Sequence, residues 1–263
     1  MSLGTLVFCA ILSCTPVESS ELLWIVGRDT PLAAEYVPTA LVQYNGITLH
    51  EEARDAFVDM LAAMGATEIH GLRLQSAYRP YNYQRAIFDQ RVNELMRTGF
   101  SKEEATYKAS QSVQPPGASE HQTGLALDVS IDGILSQKFA DTGAGRWLAE
   151  NCHNYGFIIR YPENKTDVTK IIYEPWHLRY VGNPHAQIIK NLDLTLEEYW
   201  CYIYRLQTLT FEEGDKWYLF VYSNEFPCAT ISDANIVFSS KQGENAVYII
   251  MFTNSYPAIN VFF

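Results

Sequence analysis

Two short, well-separated segments constrain this chain more than any other feature: Ser119-Glu120-His121-Gln122-Thr123-Gly124-Leu125-Ala126-Leu127-Asp128 and Glu174-Pro175-Trp176-His177. They hold three candidate metal ligands and, in Glu174, a carboxylate close to one of them, so a fold that joins them makes a hydrolytic zinc site. Catalytic zinc takes three protein ligands of nitrogen or oxygen type and keeps a fourth position for water, whose pKa it lowers to about 7. His121, Asp128 and His177 are the candidate ligands. Glu174, which opens the Glu-x-x-His step, is the candidate base for that water and the later proton donor to a leaving amine. His50, His70, His153 and His185 have no carboxylate or histidine partner in a ligand-like context, and read as ordinary surface or core residues.

Local pattern supports the same grouping. From Gly124 to Ser130 the chain alternates like a strand, with Leu125, Leu127 and Val129 on one face and Ala126 and Asp128 on the other. Asp128 therefore points away from the core-packing face. The loop Gln114-Pro115-Pro116-Gly117 delivers His121, and Trp176 can wall the site. Arg79 stands where a strand ends and a turn begins, and such ends face clefts. A guanidinium there can hold an oxyanion or clamp a substrate carboxylate.

Around these motifs the elements follow from periodicity and punctuation. Phe57, Met60, Leu61 and Met64 recur at helical spacing, with Gly65 as a stop. Ile69 to Ala77 reads as a strand, and a helix from Tyr81-Asn82 carries Phe88, Val92 and Leu95 on one face until Gly99. Ser101 and Glu104 form a capping box for the next helix. A further helix spans about Gly145 to Tyr155, closed by Gly156. Phe157 to Tyr161 reads as a strand and Lys165 to Thr169 as a polar loop. Thr195 and Glu198 cap a helix from Leu196 to Leu206, after which Trp217 to Tyr222, Asn235 to Phe238 and Ala246 to Phe252 read as strands, with turns at Gly214-Asp215, Ser232-Asp233 and Gln242-Gly243. Helices alternate with short strands without repeated strand-helix-strand units. The expected class is α+β, helices packed on a mainly antiparallel sheet, with a small C-terminal β module. The expected organisation is a leader over residues 1–20, a catalytic domain over 21–193, and a helix plus β appendage over 194–263.

Thirty acidic against nineteen basic residues give a net charge of -11, which argues against nucleic acid or an anionic membrane surface as partner. The apolar run from Leu3 to Leu12, followed by small and polar residues, reads as an export signal, although it lacks a positive n-region. Ile11-Leu12-Ser13-Cys14 loosely matches a bacterial lipoprotein cleavage box, which makes Cys14 a candidate lipid anchor. Removing Cys9 and Cys14 with a leader leaves Cys152, Cys201 and Cys228, an odd number without a close pair, so neither a cysteine metal site nor a disulfide scaffold is expected. Cys152 and Cys201 sit in apolar helical patterns and read as buried free thiols.

The strings Ser76 to Gln84, Ser119 to Asp128, Trp147 through Gly156, Arg160-Tyr161-Pro162-Glu163 and Glu174 to Gly182 together resemble the VanY-type D-alanyl-D-alanine carboxypeptidases, zinc peptidases of bacterial cell walls. The motifs stand in the family's order and spacing, and Leu23 to Pro38 resembles the entry segment of such enzymes. The resemblance implies a hedgehog/D,D-peptidase-like fold, a Zn2+ cofactor held by His121, Asp128 and His177, and Glu174 as general base. It also carries over Arg79 as the contact to the scissile carbonyl or the dipeptide end, with Gln84 and Ser119 as substrate contacts. Tyr78 and Trp176, inside the matching strings, are further candidate substrate contacts. The implied partners are peptidoglycan stem peptides, and the implied location is the cell envelope. One departure is Ala77-Tyr78-Arg79-Pro80, where many relatives have Gly before Tyr and Ser after Arg; it leaves substrate length open. The alternatives to D-Ala-D-Ala cleavage are an L,D-carboxypeptidase acting on tetrapeptide stems and a non-catalytic peptidoglycan-binding module.

Overall fold

The computed structural model describes residues 21–206 throughout and, beyond them, the backbone of the strands between 208 and 262. The leader expected over residues 1–20, including Cys14, lies outside the described residues, as do Gly214-Asp215, Ser232-Asp233 and Gly243 of the expected turns. Two compact units divide the chain, one spanning Ile25–Tyr199 and the other containing the C-terminal strands.

The first unit opens with a hairpin of β1 (Leu41–Tyr44) and β2 (Ile47–His50) that sequence reading did not anticipate. Its two-residue turn, Asn45-Gly46, has positive φ at both positions, 49° and 82°. That is the backbone an Asn-Gly pair adopts most readily, and its twist matches the flanking strands. Helix α1 (Glu51–Gly65) follows directly and buries Phe57, Met60 and Met64, with the rings of Tyr44 and Phe57 nearly perpendicular at a centroid distance of 6.0 Å. Each such fully buried side chain contributes roughly 1.5–3 kcal/mol.

Strand β3 (Arg73–Ser76) is shorter than expected, because Glu68 and Gly71 hold positive φ and keep the preceding chain in a turn. Helices α2 (Tyr81–Arg97) and α3 (Lys102–Ala109) pack through Phe88, Val92, Ala105 and Ala109. The capping box of α3 is present: the Glu104 N–H donates to Ser101 Oγ at 3.2 Å, and the Ser101 N–H to Glu104 Oε2 at 2.9 Å. A 3-10 turn (Glu120–Thr123) leads to β4 (Ala126–Ser130). Helix α4 (Gly143–Asn151) tightens into a 3-10 turn (Cys152–Tyr155), and Gly156, at φ 78°, ends it before β5 (Phe157–Ile159). Where a polar loop was expected, α5 (Thr166–Thr169) forms a single turn; β6 (His177–Tyr180), α6 (His185–Asn191) and α7 (Leu196–Leu206) follow. The cap of α7 is reciprocal, Glu198 N–H to Thr195 Oγ1 and Thr195 N–H to Glu198 Oε2.

The central sheet has the order β3-β4-β6-β5, and every pair in it is antiparallel, as the α+β reading requires. All five residues of β4 are buried. In the second unit, β7 (Thr208–Glu213), β8 (Lys216–Ser223), β10 (Asn235–Gln242) and β11 (Asn245–Thr253) form an antiparallel sheet in the order β10-β11-β8-β7, while β9 (Cys228–Ala229) pairs with β12 (Val261–Phe262). Cys152 is buried as expected, but Cys201 is exposed. On α7 the buried positions are Leu196, Tyr199 and Ile203, and Cys201 falls on the opposite face of that stripe. Among the described residues no helix is long and apolar enough to cross a membrane.

Candidate metal centre

Strand pairing brings the two motifs together. Asp128 of β4 lies opposite His177 of β6, and on its other side opposite Ser76 of β3. Directly opposed residues of an antiparallel pair project to the same face, so both side chains enter one space. His121 arrives from the 3-10 turn that precedes β4, with Gly124 at φ 72° redirecting the chain into the strand. The segment leaving β3 clamps this turn. The Arg79 N–H donates to the His121 carbonyl at 3.0 Å, and His121 Nδ1 lies 2.6 Å from the Ala77 carbonyl oxygen. A carbonyl only accepts, so Nδ1 carries the ring proton and Nε2 presents a lone pair.

His121 Nε2 stands 3.3 Å from Asp128 Oδ2, and His177 Nδ1 stands 3.1 Å from Asp128 Oδ1. The three candidate ligand atoms all lie within 4.8 Å of one another, and all three residues are buried. Ligands placed tetrahedrally at zinc bond lengths are about 3.3 Å apart. The donor set and its spacing therefore fit a zinc ion. Glu174 flanks the group, its Oε2 3.7 Å from His177 Nδ1. Its backbone is fixed by Glu174 N–H to Tyr161 O and by His177 N–H to Glu174 O.

Burial and charge set the protonation preferences. Burial pushes His121 down to about 4, with Arg79 adding to the effect. Burial acts to raise Asp128, but His121 and Arg79 outweigh it and hold the carboxyl well below its usual value. His177 moves the other way: burial lowers it, and Asp128, Glu120 and Glu174 more than compensate, to about 9. Burial raises Glu174 to about 8, which suits a group that must take up a proton and release it near neutral pH.

A cavity of about 410 Å³ opens over this group. Arg79, Gln84, Ser119, Glu174 and Trp176 line it together with the three candidate ligands. Arg79 is anchored by Nε to Ser76 Oγ at 2.8 Å, and its Nη2 is paired with Asp128 Oδ2. Gln84 Nε2 donates to the Gln114 carbonyl at 2.7 Å. Tyr78, the remaining candidate contact, is half-buried and is not among the residues that line this cavity. Its backbone N–H donates to the Thr48 carbonyl of β2 at 2.8 Å, while the Arg79 N–H on the other edge of the same segment donates to His121.

Sequence reading missed Glu120, Arg160 and Arg179, which are buried beside the centre. Their signal was an arginine at the end of one apolar strand, Phe157-Ile158-Ile159-Arg160, and another inside Leu178-Arg179-Tyr180. A charge in such a setting demands a buried counter-charge.

The antiparallel α+β fold and the buried His-Asp-His group with its adjacent glutamate define a single-zinc hydrolase. Residues 46–183 match the family model VanY: D-alanyl-D-alanine carboxypeptidase. YodJ of Bacillus subtilis (strain 168) is 42% identical over 192 residues, covering 68% of this chain and 67% of its own length. A D-alanyl-D-alanine carboxypeptidase of Enterococcus faecalis (strain ATCC 700802 / V583) is 37% identical over 182 residues, covering 69% and 66%. This chain thus spans about two thirds of the length of these relatives. The chain belongs to the VanY D-alanyl-D-alanine carboxypeptidase family of zinc metallo-carboxypeptidases. Among solved structures, VanYB in complex with D-alanine-D-alanine is 37% identical with a TM-score of 0.63, covering 69% of this chain and 98% of that one. A VanY D,D-pentapeptidase from a VanB-type resistance cassette, in complex with Zn(II), is 39% identical with a TM-score of 0.61, covering 68% and 98%. The LD-carboxypeptidase LdcB is 37% identical, also with a TM-score of 0.61, covering 71% and 92%.

Proposed function

We propose that this protein removes the terminal D-alanine from peptidoglycan stem peptides ending in D-Ala-D-Ala, with His121, Asp128 and His177 as zinc ligands and Glu174 as general base and acid. The observation that carries the reading is the convergence of three buried ligand atoms within 4.8 Å beside Glu174, on the wall of one cavity. Zinc held there acidifies water and polarises the scissile carbonyl. Glu174 takes the proton of the attacking water and delivers it to the amine of the departing D-alanine. Arg79 donates to the oxyanion formed at the carbonyl, and the Ser119 hydroxyl and Gln84 amide hydrogen-bond the substrate's terminal carboxylate. Trp176 walls the pocket. A wall substrate places the enzyme outside the cytoplasm, exported by residues 1–20 or anchored at Cys14. Residues 21–193 form the catalytic domain and 194–263 the appendage.

The similarity to LdcB supports a second reading, L,D-cleavage of tetrapeptide stems. The test is D-alanine release from a pentapeptide ending in D-Ala-D-Ala and from a tetrapeptide ending in a single D-Ala, with zinc and with chelator. Chelator-sensitive release from the pentapeptide alone establishes the D,D reading; release from the tetrapeptide replaces it with L,D. Cleavage of a C-terminally amidated pentapeptide as fast as the free acid removes the carboxypeptidase assignment.

A further inference from the structure

Two arginines are buried at the paired strands β5 and β6. Arg160 directly follows β5 and Arg179 lies within β6, exposed by only 2% and 0%. Buried guanidinium groups need carboxylates. Glu120, itself 1% exposed, serves both through a single oxygen: Oε1 accepts from Arg160 Nε at 2.7 Å and stands 3.0 Å from Arg179 Nη1. Arg160 turns its outer edge to Glu197 in a bidentate pair, Nη1 to Oε2 at 3.0 Å and Nη2 to Oε1 at 2.6 Å.

The second oxygen of Glu120 is left over. Oε2 is buried without a hydrogen-bond partner among the described residues, and His177 Nε2, 3.9 Å away, is in the same condition. The other ring nitrogen of His177, Nδ1, faces Asp128 and Glu174. This orientation follows from the strands. His177 and Arg179 stand two apart on β6 and share a face. The residues opposite Arg179 are Ala126 on β4 and Ile158 on β5. The Arg160 N–H donates to the His177 carbonyl at 3.1 Å, tying the outer pair to the ligand strand. Closing the gap by about 1 Å completes an ordinary N–H to O bond.

We propose that Glu120 is a positioning residue for the metal: its Oε2 accepts the Nε2–H of His177, selecting the tautomer whose Nδ1 lone pair points at zinc, while Arg160 and Arg179 hold the carboxylate in place. One 3-10 turn thus supplies a ligand, His121, and the partner of another ligand, His177. The inference rests on the zinc reading of the site but not on the identity of the substrate.

Zinc affinity and ring tautomer are the readouts, so an error in the substrate assignment leaves them intact. In the zinc-loaded wild-type protein, nitrogen-15 NMR of labelled histidine shows His177 protonated at Nε2, with that proton exchanging far more slowly than those of exposed histidines. Protonation at Nδ1 instead overturns the proposal. By chelator competition, Glu120→Gln and Glu120→Asp weaken zinc binding by about 10–100-fold, the usual cost of losing a carboxylate behind a ligand histidine. Glu197→Gln, which touches only the outer end of the network, lowers thermal stability and leaves zinc affinity within about 3-fold, below that range. If the Glu120 variants lose stability with wild-type zinc affinity, Glu120 serves only to neutralise its arginines and the proposal fails. Should neither variant fold, the wild-type tautomer measurement still decides.

Discussion

His121 Nδ1 lies 2.6 Å from the carbonyl oxygen of Ala77, and this contact determines which ring nitrogen the centre receives. With its proton on Nδ1, the ring offers Nε2 to the space it shares with Asp128 Oδ2, 3.3 Å away. The carbonyl belongs to the segment leaving β3, so the outer strand of the sheet orients a ligand that the sequence places far along the chain.

Metal binding to such a prepared site stabilises the folded chain. At free zinc about 100 times its dissociation constant, linkage adds about 2.7 kcal/mol. Calorimetry of zinc-loaded and chelated protein should show a higher Tm for the loaded form, and equal melting points refute a native-state zinc site.

Glu174→Gln keeps the shape of the side chain but removes its ability to shuttle a proton. Turnover falls by roughly 10²–10⁴-fold, the usual contribution of a positioned acid-base group, while zinc content stays at the wild-type level. A variant that binds zinc and turns over normally removes Glu174 from the mechanism.

Arg160→Met leaves Glu120 with one guanidinium and strips Glu197 of its bidentate partner. Breaking a buried pair from one side costs about 3–5 kcal/mol. Denaturant unfolding measures it, and Arg160→Lys should recover little, because an ammonium cannot reproduce the fork.

Burial pushes His185 down to about 3, and its Nδ1 contacts the Tyr199 hydroxyl at 2.8 Å. The folded value lies below the unfolded one, so as pH falls the unfolded chain takes up the proton first. The contribution of this histidine is therefore complete above pH 6.5 and is lost below it, at up to about 1.4 kcal/mol per pH unit, until the folded value near 3 is reached. His185→Gln should flatten the stability profile between pH 6.5 and 5 relative to wild type; parallel profiles would place the acid sensitivity elsewhere.

What could be read from the residues was largely local. The periodicity of Phe57, Met60 and Met64 announced α1, and the Ser101/Glu104 and Thr195/Glu198 boxes announced the starts of α3 and α7. The β1–β2 hairpin was missed although Asn45-Gly46 between two alternating runs is its ordinary signal. Cys201 was misplaced because an apolar helical pattern does not by itself say which stripe meets the core.

The sequence by itself determined the helix and strand preferences, the caps, the alternation that turns Asp128 from Leu127, and the donor types suited to zinc. These depend on dihedral preferences and on neighbours a few residues away, which any short window contains. Only the tertiary structure decided that Asp128 stands opposite His177 and that Glu120 is buried between two arginines. Strand register and burial arise where distant surfaces meet, and a one-residue slip of β6 against β4 would turn His177 to the other face of the sheet.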